Sequence, residues 1–504
     1  MSSFDQFKRV RNQIRKLDTL SLVYTATAKL HEIDTKPFEE WGGFLPWRLL
    51  SLIKWGFEYG GENYPLHKAD KNTLGKLMNM LHEFEDAETD PFLKENSFTG
   101  LQKFLRTRAF QQFWSQNPLG HWIIARQKVL FCDLPSEHPI HINFEQSMKG
   151  IRMIDFLVLS VSLWSWMKME SNDIRFQPEI LFQNLGYPKD IIFSYCNAIS
   201  LTPYGVKNYL RERNKAINNP YFQLMEISPY IRYPILKLNG SYLVYSQRLF
   251  NVTISNTFYD VMKAQGGNDL AEKFGFILEE YVKRDLASLK LNFYTEKELS
   301  RTFPRVKVTD FLVPFSDFTL FIEVKAIEMR SIVKVSPKNE SLRRELNDSI
   351  IKGTIQGFSL ANSISLGLDS LNIPSRSNFF LMIVTYRDLY LGAGDVVWEE
   401  FLRDSVEPVL NEKNISVDLI PAERIIILSI NEFDLFVSVL WQNSATVSDI
   451  FSEMLKANQK WETKTLMFSQ HLDKLRNKNQ QHPFLDNEFK ALQNIIAEKF
   501  QASS

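Results

Sequence analysis

The sequence predicts an α/β fold, a mixed central sheet flanked by helices, preceded by a mainly α-helical N-terminal domain. Residues 306–326 have the pattern of two short strands around a turn, and 379–386 and 424–430 are further apolar runs rich in β-branched residues. Helical patterns separate these strands, an order that is typical of an α/β sheet. The first 225 residues show mainly helical periodicity, so we expect the sheet in the second half of the chain.

The composition is that of an ordinary soluble protein with no overall basic charge. Lys+Arg and Asp+Glu number 59 each in 504 residues, a length that suggests two or three domains. A local basic groove is still compatible with nucleic-acid binding. The two cysteines, Cys132 and Cys196, argue against a zinc site or a disulfide framework and favour the cytoplasm. The apolar run 151–167 is shorter than a membrane span, so we expect no membrane association.

Changes in residue composition and periodicity along the chain predict three parts. They are a helical N-terminal domain of unknown role at 1–225, a sheet-containing domain at 226–435 and a helical C-terminal segment at 436–504. Near the first boundary, Asn239-Gly240 lies between two apolar runs, which is a strong signal for a β-hairpin. We expect a second copy of the chain or a protein partner to bind through the N-terminal domain.

The hairpin at the start of the sheet places charged residues at one point of an apolar strand pair. If Ser316 and Asp317 form its tip, pairing counted outward sets Asp310 opposite Glu323, and opposed residues share one face of a sheet. Lys325 lies two residues beyond Glu323 and shares that face. The flanking residues are apolar on both faces, as in a strand that is covered on both sides.

This arrangement predicts a metal site. Two opposed carboxylates in an apolar strand pair repel each other unless a cation offsets their charge. Oxygen ligands of this kind suit Mg²⁺ or Mn²⁺, and Lys325 would hold a water molecule or a phosphate oxygen beside the metal. The alternative is a surface hairpin with an ordinary Glu–Lys ion pair. The prediction depends on the register, because a slip of one residue would move Asp310 to the other face.

At these residues the sequence resembles the PD-(D/E)xK nuclease superfamily. The resemblance is carried by Asp310 and by Glu323-Val324-Lys325, with Thr309 in the place of the proline that gives the motif its name. It covers roughly residues 230 to 435 of this chain. The fold that it implies is an α/β restriction-endonuclease-like core.

The same resemblance implies two further site residues. The family often has a glutamate on the preceding helix, where Glu279 in FGFILEEYV is the better match and Glu280 the alternative. Several branches add a helix after the lysine with a glutamine that faces the site, which matches Gln356 in KGTIQGF. The implied catalytic residues are Asp310, Glu323, Lys325, Glu279 and Gln356, of which Asp310, Glu323 and Glu279 would hold Mg²⁺ or Mn²⁺.

The resemblance implies a metal-dependent nuclease, which is a hydrolase of phosphodiester bonds. Many members of the superfamily are endonucleases. We expect DNA as the substrate, in a prokaryotic context of antiviral defence or repair. A ribonuclease with the same site is the first alternative, and a non-catalytic nuclease-like subunit that binds nucleic acid or acts as a scaffold is the second. Cations that follow the hairpin would either grip a nucleic-acid backbone or line a solvated crossover: Arg330, Lys334, Lys338, Arg343 and Arg344.

Overall fold

The protein folds into two compact units, according to a computed structural model. The structure describes residues 3–61, 66–94, 98–116, 120–169, 175–336, 339–367, 371–477 and 479–501. The first unit comprises Met1–Gly267 and Asn487–Ser504, and the second comprises Asn268–Asp486. This division differs from the predicted boundaries at 225 and 435. The hairpin near residue 240 completes a sheet of the first unit, and helices after 435 pack on the sheet of the second.

The first unit consists mainly of helices, as the sequence predicts. They are α1 (Ser3–Ile14), α2 (Thr19–Asp34), α3 (Pro46–Tyr59), α4 (Lys71–Lys94), α5 (Phe98–Gln116), α6 (His121–Gln127), α7 (Pro139–Ser147), α8 (Met153–Met169), α9 (Pro178–Leu181), α10 (Lys189–Ala198), α11 (Pro203–Asn214), α12 (Pro220–Met225) and the first half of α13 (Gln247–Ser288). Among the described residues, no helix has both the length and the apolar character that a bilayer crossing requires. Gly267 interrupts α13 with a φ of 58° and a ψ of −149°, values that glycine adopts without the steric cost of a side chain.

A small mixed sheet belongs to the first unit. Its strands are β1 (Arg175–Phe176), β2 (Ser200–Leu201), β3 (Ile235–Leu238) and β4 (Ser241–Val244), in the order β1-β4-β3-β2. The hairpin predicted around Asn239-Gly240 is confirmed, and Gly240 has the positive φ of 77° that such a turn favours. The partner strands have only two residues each, which is too short to show a strand period in the sequence.

The first unit also contains a buried ion-pair network. Lys54 Nζ lies 2.6 Å from Glu226 Oε1, and both side chains are almost fully excluded from solvent. Arg213 Nη2 approaches the other oxygen of Glu226 at 3.2 Å. Each charge is therefore compensated locally, as buried charges must be.

The second unit is built on a mixed five-stranded sheet. Its strands are β5 (Tyr294–Thr295), β6 (Phe311–Pro314), β7 (Thr319–Lys325), β8 (Phe379–Thr385) and β9 (Ile425–Ser429), in that spatial order. Strands β5, β6 and β7 are antiparallel, whereas β7, β8 and β9 are parallel. The helices that follow the second half of α13 are α14 (Glu296–Thr302), α15 (Ser331–Val335), α16 (Asn339–Leu346), α17 (Lys352–Ser365), α18 (Gly394–Val397), α19 (Arg403–Glu412), α20 (Ile430–Trp441), α21 (Val447–Asn458) and α22 (Ser469–Leu472), and α23 (Leu485–Gln501) begins at its end.

Helices cover both faces of this sheet. A Cβ placed on Gly357 of α17 would lie 2.9 Å from Leu381 Cδ1, so this helix approaches one face very closely. On the other face the ring of Phe380 lies 4.8 Å from that of Phe451 in α21. Coverage on both sides explains why β7 and β8 are continuous apolar runs with few polar positions.

Candidate active site

The predicted hairpin register is confirmed, and it brings Asp310 beside Glu323. Phe311 pairs with Ile322 in the ladder, so the next position outward sets Asp310 opposite Glu323. At the end of the ladder the side chain of Asp310 takes the place of a backbone acceptor: its Oδ2 accepts a hydrogen bond of 2.6 Å from the backbone N–H of Val324. The carboxylate is thereby fixed at the point where the two strands separate.

Glu323 and Lys325 form an ion pair on the face of β7 that α17 covers. Glu323 is fully buried, and its Oε1 accepts a hydrogen bond from Lys325 Nζ. Among the described residues, no donor reaches the other oxygen, Oε2. Gly353 of α17 lies against this side chain, since a Cβ there would come within 3.0 Å of Glu323 Cγ. The absence of a side chain at Gly353 therefore leaves space for the acid.

Three carboxylates converge at the solvent-facing side of the same site. Glu279, Glu296 and Asp310 each offer an oxygen, and these oxygens all lie within 4.8 Å of one another. Glu296 is exposed, whereas Glu279 is partly buried. We call these three residues the acidic cluster. Glu279 is a predicted site residue, but Glu296 is not.

Local sequence signals place the two glutamates. The break at Gly267 starts a new helical stretch, in which Leu278 and Val282 are buried and Glu279 lies beside them. Its neighbour Glu280 is exposed and pairs with Lys283 at 2.9 Å. Glu279 is therefore the member of the Glu279–Glu280 pair that belongs to the site.

A capping box positions Glu296. Glu298 accepts hydrogen bonds from the backbone N–H of Thr295 at 2.8 Å and from its hydroxyl at 2.7 Å, so α14 begins directly after Thr295. This turns Glu296, the first residue of the helix, toward Asp310. The Thr-x-x-Glu pattern is a recognised start signal for a helix, so the sequence could place Glu296 in a first helical turn but not beside Asp310.

Burial and mutual repulsion raise the pKa values of the site acids. Burial, followed by the charges of Asp310 and Glu296, raises the pKa of Glu279 to about 7. Burial and then the charge of Asp310 raise the pKa of Glu323 to about 8. Burial also raises the pKa of Asp310, although Lys325 opposes this. For Lys325, burial acts to lower the pKa, but the adjacent Glu323 and Asp310 outweigh it and hold the pKa above its ordinary value.

Gln356 supports the site without reaching its carboxylates directly. Its Nε2 donates a hydrogen bond of 2.9 Å to the backbone carbonyl of Val308, two residues before Asp310. Its Oε1 is buried, and no donor among the described residues reaches it. Gln356 therefore holds in place the segment that carries Asp310.

The four described cations that follow the hairpin are engaged by acids within the second unit. Lys338 lies outside the described residues. The other four form ion pairs, Arg330 with Glu345 at 2.7 Å, Lys334 with Glu328 at 3.3 Å, Arg343 with Asp404 at 2.6 Å, and Arg344 with Glu340. This favours the solvated crossover over a segment that grips nucleic acid.

A second group of possible metal ligands has a structural explanation. Asp285, Asp434 and His482 lie together in the second unit and are buried. Leu485 N–H donates to His482 Nδ1 at 3.3 Å, which assigns the ring proton to Nε2, 3.3 Å from Asp285 Oδ1. Tyr281 donates to Asp434 Oδ1 at 2.8 Å. The group thus combines a hydrogen bond between Tyr281 and Asp434 with a close approach of His482 to Asp285. No substrate reaches it, because the side chains of His482 and Asp285 are inaccessible to solvent.

Comparison of the chain with protein-family models, with curated proteins and with solved structures finds no match. The case for a function therefore rests on the geometry of the site. That geometry combines a cluster of three carboxylates, a fourth carboxylate with a buried free oxygen, and one lysine at the carboxyl end of a parallel strand.

Proposed function

We propose that the protein is a metal-dependent nuclease with a restriction-endonuclease-like second unit, acting on DNA in a prokaryotic context of antiviral defence or repair. The observation that supports this most is the convergence of Glu279, Glu296 and Asp310 beside the Glu323–Lys325 ion pair. Acids that share a small site with one lysine are suited to a divalent cation and a phosphate. The resemblance to the PD-(D/E)xK superfamily points to the same chemistry.

The residues present fit Mg²⁺ or Mn²⁺. These cations take carboxylate oxygens and retain several water ligands, and Glu296 leaves the site open to solvent because it is exposed. The free Oε2 of Glu323 is a buried oxygen that lacks a donor among the described residues. A buried carboxylate oxygen without a partner is costly, and a cation would offset that cost. Glu279, Glu296 and Asp310 would hold the metal, and Glu323 would be a fourth ligand through its free oxygen.

The other site residues each have a defined task in this proposal. When bound, the cation supplies charge neutralisation at the scissile phosphate and lowers the pKa of a water molecule. Lys325 places a positive charge where negative charge develops on the phosphate oxygens during attack. Glu323 orients the Lys325 ammonium group through their ion pair. Gln356 keeps the Asp310 segment in place through the Val308 carbonyl.

The test is cleavage of plasmid, linear and single-stranded DNA by purified protein, with Mg²⁺, with Mn²⁺ and with EDTA. We expect cleavage that requires the metal and that is lost in Asp310→Ala, Glu323→Ala and Lys325→Ala. A matched control is Asp317→Ala, which removes an exposed acid at the other end of the same hairpin. Full activity of a folded Lys325→Ala protein would refute the proposal.

The two alternatives give different results when RNA is offered beside DNA in the same assay. A ribonuclease would cleave RNA of the same sequence and leave DNA intact. A non-catalytic subunit would bind nucleic acid without turnover, and its binding would be indifferent to EDTA and to Lys325→Ala. The retention of Asp310, Glu323 and Lys325 together tells against this second alternative, because binding alone has no chemical need for all three.

A further inference from the structure

Four exposed cations lie on the stretch of chain that joins two members of the acidic cluster. Lys297 and Arg301 belong to α14, and Arg305 and Lys307 follow it. We call these four residues the basic track. Throughout the described part of the chain, none of them forms an ion pair with a carboxylate. They differ in this from the four described cations after the hairpin, which all have acidic partners.

The ends of this stretch meet at the site. Glu296 lies at its start and Asp310 at its end, and their carboxylate oxygens lie within 4.8 Å of each other. The chain between them therefore forms a closed loop on the acidic cluster. Lys297 directly follows Glu296, and Lys307 is at most about 11 Å of extended chain from Asp310.

The same stretch is anchored, so the backbone that carries these cations has a defined position. Leu299 and Phe303 are buried beneath it, with exposed fractions of 0% and 3%. Lys297 and Arg301 are four residues apart on α14, which places them on one face of the helix about 6 Å apart along its axis. The four exposed cations therefore lie on one short loop of the second unit that starts and ends at the acidic cluster.

We propose that the basic track binds the phosphates that flank the scissile phosphate of a DNA strand. This inference rests on the proposed function and adds the surface that holds the substrate. The acidic cluster itself repels a polyanion, so fixed cations beside it are needed to hold the strand in register with the site. Contacts of Lys and Arg with phosphates carry no sequence information, and the track therefore implies binding that is independent of sequence and sensitive to salt.

The test is the salt dependence of binding to a fluorescent single-stranded DNA, measured by anisotropy in EDTA so that no hydrolysis occurs. The variant K297Q/R301Q/R305Q/K307Q removes all four charges. With about 0.7 per phosphate contact for single strands, the slope of log K against log salt should fall in magnitude by about 3. The control variant K413Q/K460Q/K474Q removes exposed lysines elsewhere in the second unit, and it should keep the wild-type slope.

The outcomes separate this inference from the proposed function. Wild-type protein that cleaves DNA while the track variant keeps its slope would overturn the basic track and leave the nuclease intact. A reduced slope in the track variant, with no cleavage by wild-type protein under any metal, would uphold the track and overturn the nuclease. A slope that falls for RNA of the same sequence but not for DNA would overturn the assignment to DNA. Absence of any DNA binding by the wild type would overturn both.

Discussion

The contact between Gly353 and Glu323 allows a test of the site in which an effect on activity can be separated from an effect on stability. In Gly353→Ala the new Cβ would lie 3.0 Å from Glu323 Cγ, so the acid must shift by a few tenths of an ångström. Overpacking of this kind costs about 1–3 kcal/mol, and the better helix propensity of alanine returns about 1 kcal/mol. We expect a net loss in the free energy of unfolding of about 0–2 kcal/mol.

Activity should fall by more than this loss of stability implies. Glu323 is tied to Lys325, so a displaced carboxylate also moves the ammonium group that faces the phosphate. A misplacement of about 1 Å at a reacting centre costs about 100-fold in rate, and we expect kcat to fall about tenfold for a smaller shift. The measurement is single-turnover DNA cleavage beside thermal unfolding of the same preparation.

Gly357→Ala is the matched control, one turn further along α17. Its Cβ would lie 2.9 Å from Leu381 Cδ1, so the overpacking is similar but the side chain that must move lies outside the site. We expect a similar loss of stability with kcat within about twofold of the wild type. Equal kcat values for the two variants at equal stability would refute the assignment of Glu323 to the site.

Four further predictions follow, three from the charges of the site and one from the buried ion pair of the first unit. The pKa values of Glu279, about 7, and of Glu323, about 8, are raised, so metal binding displaces protons. Mn²⁺ affinity measured by calorimetry should therefore rise about tenfold per pH unit up to about pH 7. An affinity that stays constant from pH 6 to 8.5 would contradict this. Because these folded-state values exceed the ordinary 4.5, the folded state binds more protons, and the metal-free protein should lose stability as pH rises from about 4.5 to about 8. Glu296→Gln should weaken Mn²⁺ binding at least tenfold while the thermal midpoint without metal stays the same or rises, since a repelling charge is removed; unchanged affinity would exclude Glu296 as a ligand. Lys54→Met leaves the buried Glu226 without its closest cation and should cost about 3–5 kcal/mol in chemical denaturation, so a loss below about 1 kcal/mol would show that this pair is not a structural element.

Much of the second unit could be predicted because its signals are local. The turn at Ser316-Asp317 between two apolar runs fixes the register of β6 and β7, and with it the approach of Asp310 to Glu323. The break at Gly267 and the buried runs that form β8 and β9 are equally local features.

Features that depend on distant parts of the chain could not be predicted in the same way. Glu296 joins Asp310 only because the stretch between them closes on itself, which no periodicity reveals. The boundary at 225 differs from the structure because the hairpin there pairs with β1 and β2, strands of two residues from elsewhere in the chain. The cations after the hairpin are compatible in sequence with either a segment that grips nucleic acid or a solvated crossover. The choice depends on acids such as Glu345 and Asp404, which form ion pairs with them in the folded chain.

The central claim is that the acidic cluster holds a divalent cation beside the Glu323–Lys325 pair. The most direct measurement is anomalous diffraction from crystals soaked in Mn²⁺. We predict a peak within ligand distance, about 2.0–2.3 Å, of carboxylate oxygens from Glu279, Glu296 and Asp310. Mn²⁺ bound only elsewhere in the protein, with these three carboxylates unliganded, would contradict the claim.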